Sequence, residues 1–164
     1  MTKILKSSRH SKLTGDFGEA LVLYMLSRHG FECAKIDHTG IDLIARHPRR
    51  KLLMGISVKS RTRISGQEDS PIRVDGGNLV KCQNACKAFG LEPYYALIID
   101  RGDRISAYIV EEAILQKYAP KRASRCIWHL SSKACKQYAA DPSVMTFEMP
   151  LSIGRWWDDE KTNG

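Results

Sequence analysis

An aspartate, a serine and a lysine lie on two apolar, β-branched runs in the middle of the chain. Asp42 belongs to Gly40-Ile41-Asp42-Leu43-Ile44-Ala45-Arg46, and Ser57 and Lys59 end Leu52-Leu53-Met54-Gly55-Ile56-Ser57-Val58-Lys59. A carboxylate is a hard oxygen ligand for a divalent cation, and a lysine ammonium can stabilise developing negative charge or position an attacking water. The plainer alternative is a salt bridge between two strand-end charges, and these runs alone leave both open.

The runs flank His47-Pro48-Arg49-Arg50-Lys51, a proline-led charged break, which is the pattern of an antiparallel hairpin with largely buried strands. Pairing His47 with Leu52 leaves Pro48 to Lys51 as the loop and sets Asp42 opposite Ser57. Side chains alternate, so this register puts Asp42, Ser57 and Lys59 on one face. Ile41, Leu43, Ala45, Leu52, Met54, Ile56 and Val58 fall on the other. A slip of one residue would carry the carboxylate into the core set, so the register is strongly specified.

Around this hairpin the chain reads as alternating helices and strands. Residues 1 to 13 are polar and basic and are expected to form a flexible arm. Thr14 caps a helix that Gly30 ends, with Phe17, Ala20, Leu21, Tyr24 and Met25 as its apolar stripe and Glu19 in its early turns. Phe31 to Asp37 is a first strand. Residues 60 to 77, with Gly66, Pro71, Gly76 and Gly77, form a long loop, poorly ordered or ordered only on binding. Asn78 caps a helix to Phe89 whose packed face is Leu79, Cys82, Cys86 and Phe89. Strands follow over Tyr94 to Asp100 and Arg104 to Val110, the first of them parallel to the strand ending at Lys59 because the helix between makes a crossover. A short helix from Glu111 to Tyr118, an edge strand from Cys126 to Leu130 and a helix from Ser131 to Ala139 complete the pattern. Trp156 and Trp157, in the tail, are left between packing on the body, a partner contact and stacking on bases. One α/β domain over 14–130 is expected, with a C-terminal helix and tail over 131–164 packed on it.

At 164 residues and 43% apolar content the chain is long enough for one real core. No stretch has the length of a membrane span, and the basic N-terminus lacks an apolar signal region, so a cytoplasmic protein is expected. Five cysteines, an odd number, argue against a disulfide framework. A zinc site from Cys82, Cys86, Cys126 and His129 is conceivable, but their apolar neighbours favour buried core thiols. The formal charge of +8 points to a polyanionic partner. Its clusters at Arg46, Arg49, Arg50 and Lys51 and at Arg61 and Arg63 adjoin the candidate site, which favours a track for nucleic-acid phosphates.

With Glu19 on the first helix, Gly-Ile-Asp42 on the second strand and Ser57-Val58-Lys59 on the third, residues 14 to 110 resemble the PD-(D/E)XK nuclease superfamily. The spacing looks most like the branch of archaeal Holliday-junction resolvases and related small bacterial nuclease-like proteins. The resemblance implies an α/β, restriction-endonuclease-like fold, a mixed β-sheet flanked by helices with an αβββαβ core. It implies Mg²⁺ or Mn²⁺ held by Glu19, Asp42 and the Val58 carbonyl, Lys59 assisting the attacking water, DNA as partner, and a two-fold homodimer. Position 57 departs from the pattern, which calls for Glu, Asp or sometimes Gln. A serine hydroxyl is a neutral and poorer ligand. Three outcomes stay open: the Ser57 hydroxyl suffices, a carboxylate such as Glu68, Asp69 or Asp75 replaces it, or the fold keeps binding without cleavage. The readings carried forward are a metal-dependent DNA endonuclease acting on branched or other structured DNA, a non-catalytic nucleic-acid-binding module of the same fold, and a basic structural protein in which Asp42 and Lys59 only pair.

Overall fold

The computed structural model describes residues 6–152. A first helix, α1 (His10–Arg28), leads into a meander of three strands, β1 (Glu32–His38), β2 (Ile41–Arg46) and β3 (Leu53–Thr62). A short strand β4 (Ile72–Asp75) and helix α2 (Gly76–Phe89) then cross over to β5 (Glu92–Asp100), which turns into β6 (Arg104–Glu111). Helix α3 (Glu112–Tyr118), strand β7 (Arg125–Trp128), helix α4 (Ser132–Ala140) and strand β8 (Met145–Pro150) follow. The main sheet runs β1-β2-β3-β5-β6-β8, and β4 pairs with β7 in a separate ribbon. β3 and β5 are parallel while every other pairing in the main sheet is antiparallel, so the sheet is mixed as the crossover requires.

The core has two layers, one on each side of this sheet. On one side α1 lays Leu21, Val22, Met25 and Leu26 over Leu43, Ala45, Met54 and Ile56. On the other, Leu79, Cys82, Ala85 and Cys86 of α2 pack with Tyr95, Leu97 and Ile99 of β5 and with Ile72, Val74, Cys126 and Trp128 of the ribbon. Trp128 stacks on Tyr138 at 4.1 Å between ring centroids and so ties α4 to β7.

Several expected features are displaced for identifiable reasons. The helix starts at His10, inside the stretch expected to be a free arm, and Thr14 does not cap it: its hydroxyl donates to the His10 carbonyl within the helix. The packed stripe falls one residue later than periodicity alone suggests, on Gly18, Leu21, Val22, Met25 and Leu26, leaving Phe17 and Tyr24 exposed. Gly18 sets that rotation. A Cβ there would overlap Ser60 Oγ and come within 2.9 Å of Ser60 Cβ, so α1 lies on β3 as closely as a glycine permits.

The loop expected over 60–77 is largely structured. β3 runs on to Thr62, β4 occupies 72–75, and Arg63 Nη2 donates to the carbonyls of Ser70 and Pro71, closing the loop between them. Helix α2 opens at Gly76 behind Asp75 rather than at Asn78, and its Phe89 is exposed against His38 instead of joining the core. Strand β7 lies in the ribbon, not at an edge of the main sheet, and the edge is taken by β8. Cys82, Cys86 and Cys126 are core thiols, while His129 is exposed. Trp156 and Trp157 lie outside the described residues. Among the described residues no helix is long and apolar enough to cross a membrane.

Candidate active site

The hairpin has the register its sequence dictates: the His47 N–H donates to the Leu52 carbonyl, and β2 and β3 pair from Arg46 opposite Leu53 to Leu43 opposite Ile56. Beyond Leu43 the strands part. At the split, Asp42 supplies with its side chain the acceptor that a main-chain carbonyl would otherwise provide, and the Val58 N–H donates to Asp42 Oδ2 at 2.6 Å. The N–H and C=O of a strand residue point to the same edge, so the Val58 carbonyl faces this gap too.

Two local features open the split. The β1–β2 register shifts between Lys35 and His38, and the turn that follows contains Gly40 at φ +106. A Cβ on Gly40 would overlap the Lys81 carbonyl and come within 2.9 Å of the Cys82 nitrogen, so α2 presses directly on the start of β2. This corrects the expected faces. Ile41 belongs to the core under α2, not to the set with Leu43 and Ala45, and Asp42 reaches across the gap to Val58. The alternation of β2 breaks where the bulge and the turn deflect the strand.

Ser57 and Lys59 do share a face. Ser57 is buried, opposite Tyr95 on β5, and its Oγ accepts a hydrogen bond from Lys59 Nζ at 3.1 Å. Among the described residues Asp42 and Lys59 form no ion pair, which removes the plain salt-bridge reading. Burial pushes the Asp42 carboxyl above the usual carboxylate range, opposed by the Val58 N–H; among charged neighbours Lys59 and Lys35 lower it and Glu19 raises it. Glu19, from α1, and Lys59, from β3, thus act on Asp42 by charge rather than by contact.

Glu19 has a partner that strand pairing of the hairpin alone does not reveal. Lys35, opposite Leu43 on β1, holds Glu19 Oε2 at 2.6 Å, with the lysine 56% and the glutamate 20% exposed at the side chain. The signal lies in the β1–β2 pairing: Leu43 faces α1, so Lys35 opposite it faces the same helix.

No protein-family model matches the chain, and no curated protein sequence does. A solved structure does. The Holliday junction resolvase Hjc of the archaeal hyperthermophile Archaeoglobus fulgidus aligns with 75% of this chain and 88% of its own, at a TM-score of 0.54 and 17% identity. The fold is thus restriction-endonuclease-like, as the order of helix, three strands, helix and strand implied.

The other expected acids lie between β3 and β4 and at the start of α2. Glu68 accepts from the Gly66 N–H, Asp69 pairs with Arg101, and Asp75 sits at the start of α2 opposite Arg125. No group of three or more His, Cys, Asp and Glu side chains is gathered for a metal among the described residues. Around the split the oxygen donors are the Glu19 and Asp42 carboxylates, the Val58 carbonyl and the Ser57 hydroxyl. These fit a hard cation in kind, but two carboxylates faced by two ammonium groups leave no net negative charge to attract it.

The basic residues form two groups toward opposite ends of β3. At the hairpin tip the N–H groups of Arg49 and Arg50 both donate to His47 Nδ1, which holds the loop in shape while Arg46, Arg49, Arg50 and Lys51 stay exposed. Toward the far end Arg61 is exposed and Arg63 half-buried, the latter with its guanidinium pulled below its ordinary pKa by burial and by Arg61, Arg73 and Arg101. Arg73 and Arg101 join this group only through the β4 ribbon and the β5–β6 turn, so spacing along the sequence does not reveal them.

Proposed function

We propose that this protein binds structured DNA and hydrolyses its phosphodiester bonds at the split between β2 and β3, with Glu19, Asp42 and Lys59 as the working groups. The observation that carries the reading is Asp42 bridging the split to Val58 while the charges of Glu19 and Lys59 act on it from different elements. That Hjc acts on Holliday junctions suggests branched DNA as the substrate class.

Glu19, Asp42 and the Val58 carbonyl would hold Mg²⁺ or Mn²⁺. Such an ion, when bound, supplies polarisation of the phosphate and a water of lowered pKa. Lys59 carries the transition-state charge, and the buried Ser57 hydroxyl fixes its ammonium at the site. Arg46, Arg49, Arg50 and Lys51 on one side and Arg61 and Arg63 on the other grip backbone phosphates, with little reading of bases. As a homodimer the protein would offer two centres to a branched substrate.

A second reading, a DNA-binding module without cleavage, is favoured by two observations. Lys59 is bonded to a serine where the pattern has an acid, and Glu19 is already held by Lys35. A cleavage panel on linear, branched and single-stranded DNA with Mg²⁺ or Mn²⁺ separates the two. Weak nicking by the wild type, abolished by Lys59→Ala and increased by Ser57→Glu, is the expected result. DNA binding with no cleavage by either the wild type or Ser57→Glu would establish the second reading instead.

A further inference from the structure

Glu19 is paired with Lys35, and Asp42 feels the charges of Glu19, Lys35 and Lys59, two negative groups balanced by two positive ones. Lys59 is anchored to a buried hydroxyl on its own strand, whereas Lys35, more than half exposed, reaches Glu19 across from β1 to α1 on a long flexible stem. An exposed ion pair of this kind contributes little to stability because water screens it and both side chains lose freedom. Its position matters more, since it blocks one of the two carboxylates available to a cation. The same ammonium, once free, would lie beside whatever phosphate Asp42 and Lys59 attend.

We infer that Lys35 is a displaceable counter-ion: it holds Glu19 in the protein alone and, when Glu19 turns to a divalent cation, passes to a phosphate oxygen of the DNA. This rests on the reading that the split binds both ion and phosphodiester. Its consequence is thermodynamic. Each ligand removes an obstacle to the other, since the ion frees Lys35 for the phosphate and the phosphate draws Lys35 off Glu19. The coupling is therefore positive, and the factor by which the ion tightens DNA must equal the factor by which DNA tightens the ion. Without DNA, an ammonium left beside a divalent cation would weaken its binding by charge repulsion, on the order of tenfold.

The test measures binding without turnover. Mn²⁺ affinity is read by electron paramagnetic resonance on the DNA-free protein. Affinity for a labelled four-way junction is read by fluorescence anisotropy with and without Ca²⁺. Wild type, Lys35→Gln and Lys35→Arg are compared, with thermal melts to confirm folding. Lys35→Gln is expected to bind Mn²⁺ about tenfold more tightly than wild type, Lys35→Arg to match wild type, and the tightening of the junction by Ca²⁺ to shrink in Lys35→Gln. Unchanged Mn²⁺ affinity in Lys35→Gln, or equal ion–DNA coupling in wild type and Lys35→Gln, overturns the inference. Cleavage by the wild type alongside unmoved Mn²⁺ affinity would reject the counter-ion and leave the nuclease reading standing. The expected Mn²⁺ and coupling changes with no cleavage anywhere would do the reverse.

Discussion

Gly18→Ala tests whether the seat of α1 on β3 fixes Glu19. In an open helix the change should stabilise by about 1 kcal/mol, because glycine is the poorer helix former. Here the new Cβ would overlap Ser60 Oγ and lie 2.9 Å from Ser60 Cβ. The hydroxyl can rotate away, and it has no hydrogen-bond partner to lose, but the second clash persists and α1 must lift. Overpacking of this kind costs about 1–3 kcal/mol. Set against the propensity gain, the net loss is up to about 2 kcal/mol, or up to about 8 °C in Tm for a domain of this size. Melting curves of wild type, Gly18→Ala, Ser60→Gly and the double variant give the coupling directly. The double variant should be more stable than the two single effects added together predict, by about 1 kcal/mol or more. Glu19 is the next residue, and a displacement near 1 Å can lower turnover by as much as about a hundredfold. On the proposed nuclease reading, Gly18→Ala should therefore lose cleavage at temperatures where it is fully folded. A variant that melts above wild type, or strictly additive effects, would refute the close approach and with it the claim that glycine sets the rotation of α1.

Asp42 supplies a pH prediction. Its carboxyl is held above the ordinary value of 3.8 by burial, so the folded protein binds this proton more tightly than the unfolded chain does. The group's contribution to stability is greatest below the unfolded value and is lost as pH rises through the raised folded value. Asp42→Asn keeps an oxygen acceptor for the Val58 N–H and should melt higher than wild type at pH 7, with the gap closing toward pH 4; a lower Tm at pH 7 contradicts this. The hairpin tip supplies a salt prediction. Arg49→Ala with Arg50→Ala should flatten the slope of log affinity against log salt for duplex DNA by about 0.9 for each phosphate that is no longer neutralised. An unaltered slope would remove the tip from the DNA interface.

The hairpin was legible because its register rests on local signals, an alternating apolar pattern and a short proline-led loop, and the strands conform to that register down to Leu43 opposite Ile56. What lay below Leu43 was not legible. The turn of Ile41 into the second core depends on a bulge against β1 and on α2 pressing on Gly40, both meetings of segments distant in sequence. The Lys35–Glu19 pair has the same character, since it requires β1 beside β2 and α1 across both. β8 differs: Met145, Phe147 and Met149 alternate with polar residues, so its period was present in the sequence, and only its place beside β6 needed the fold. β7 was expected as a strand and only its partner was not, whereas β4 had no such signal, because a four-residue strand is too short for periodicity to stand out.

The close approach at Gly40 bears on how short signatures should be interpreted across distant proteins. The glycine that precedes Ile41-Asp42 is demanded by a left-handed backbone and by a helix resting against it, not by anything a phosphodiester requires. A descendant that had ceased to cut DNA would still be obliged to keep it. That glycine, part of what looks like a chemical signature, is therefore an architectural constraint, independent of any reaction.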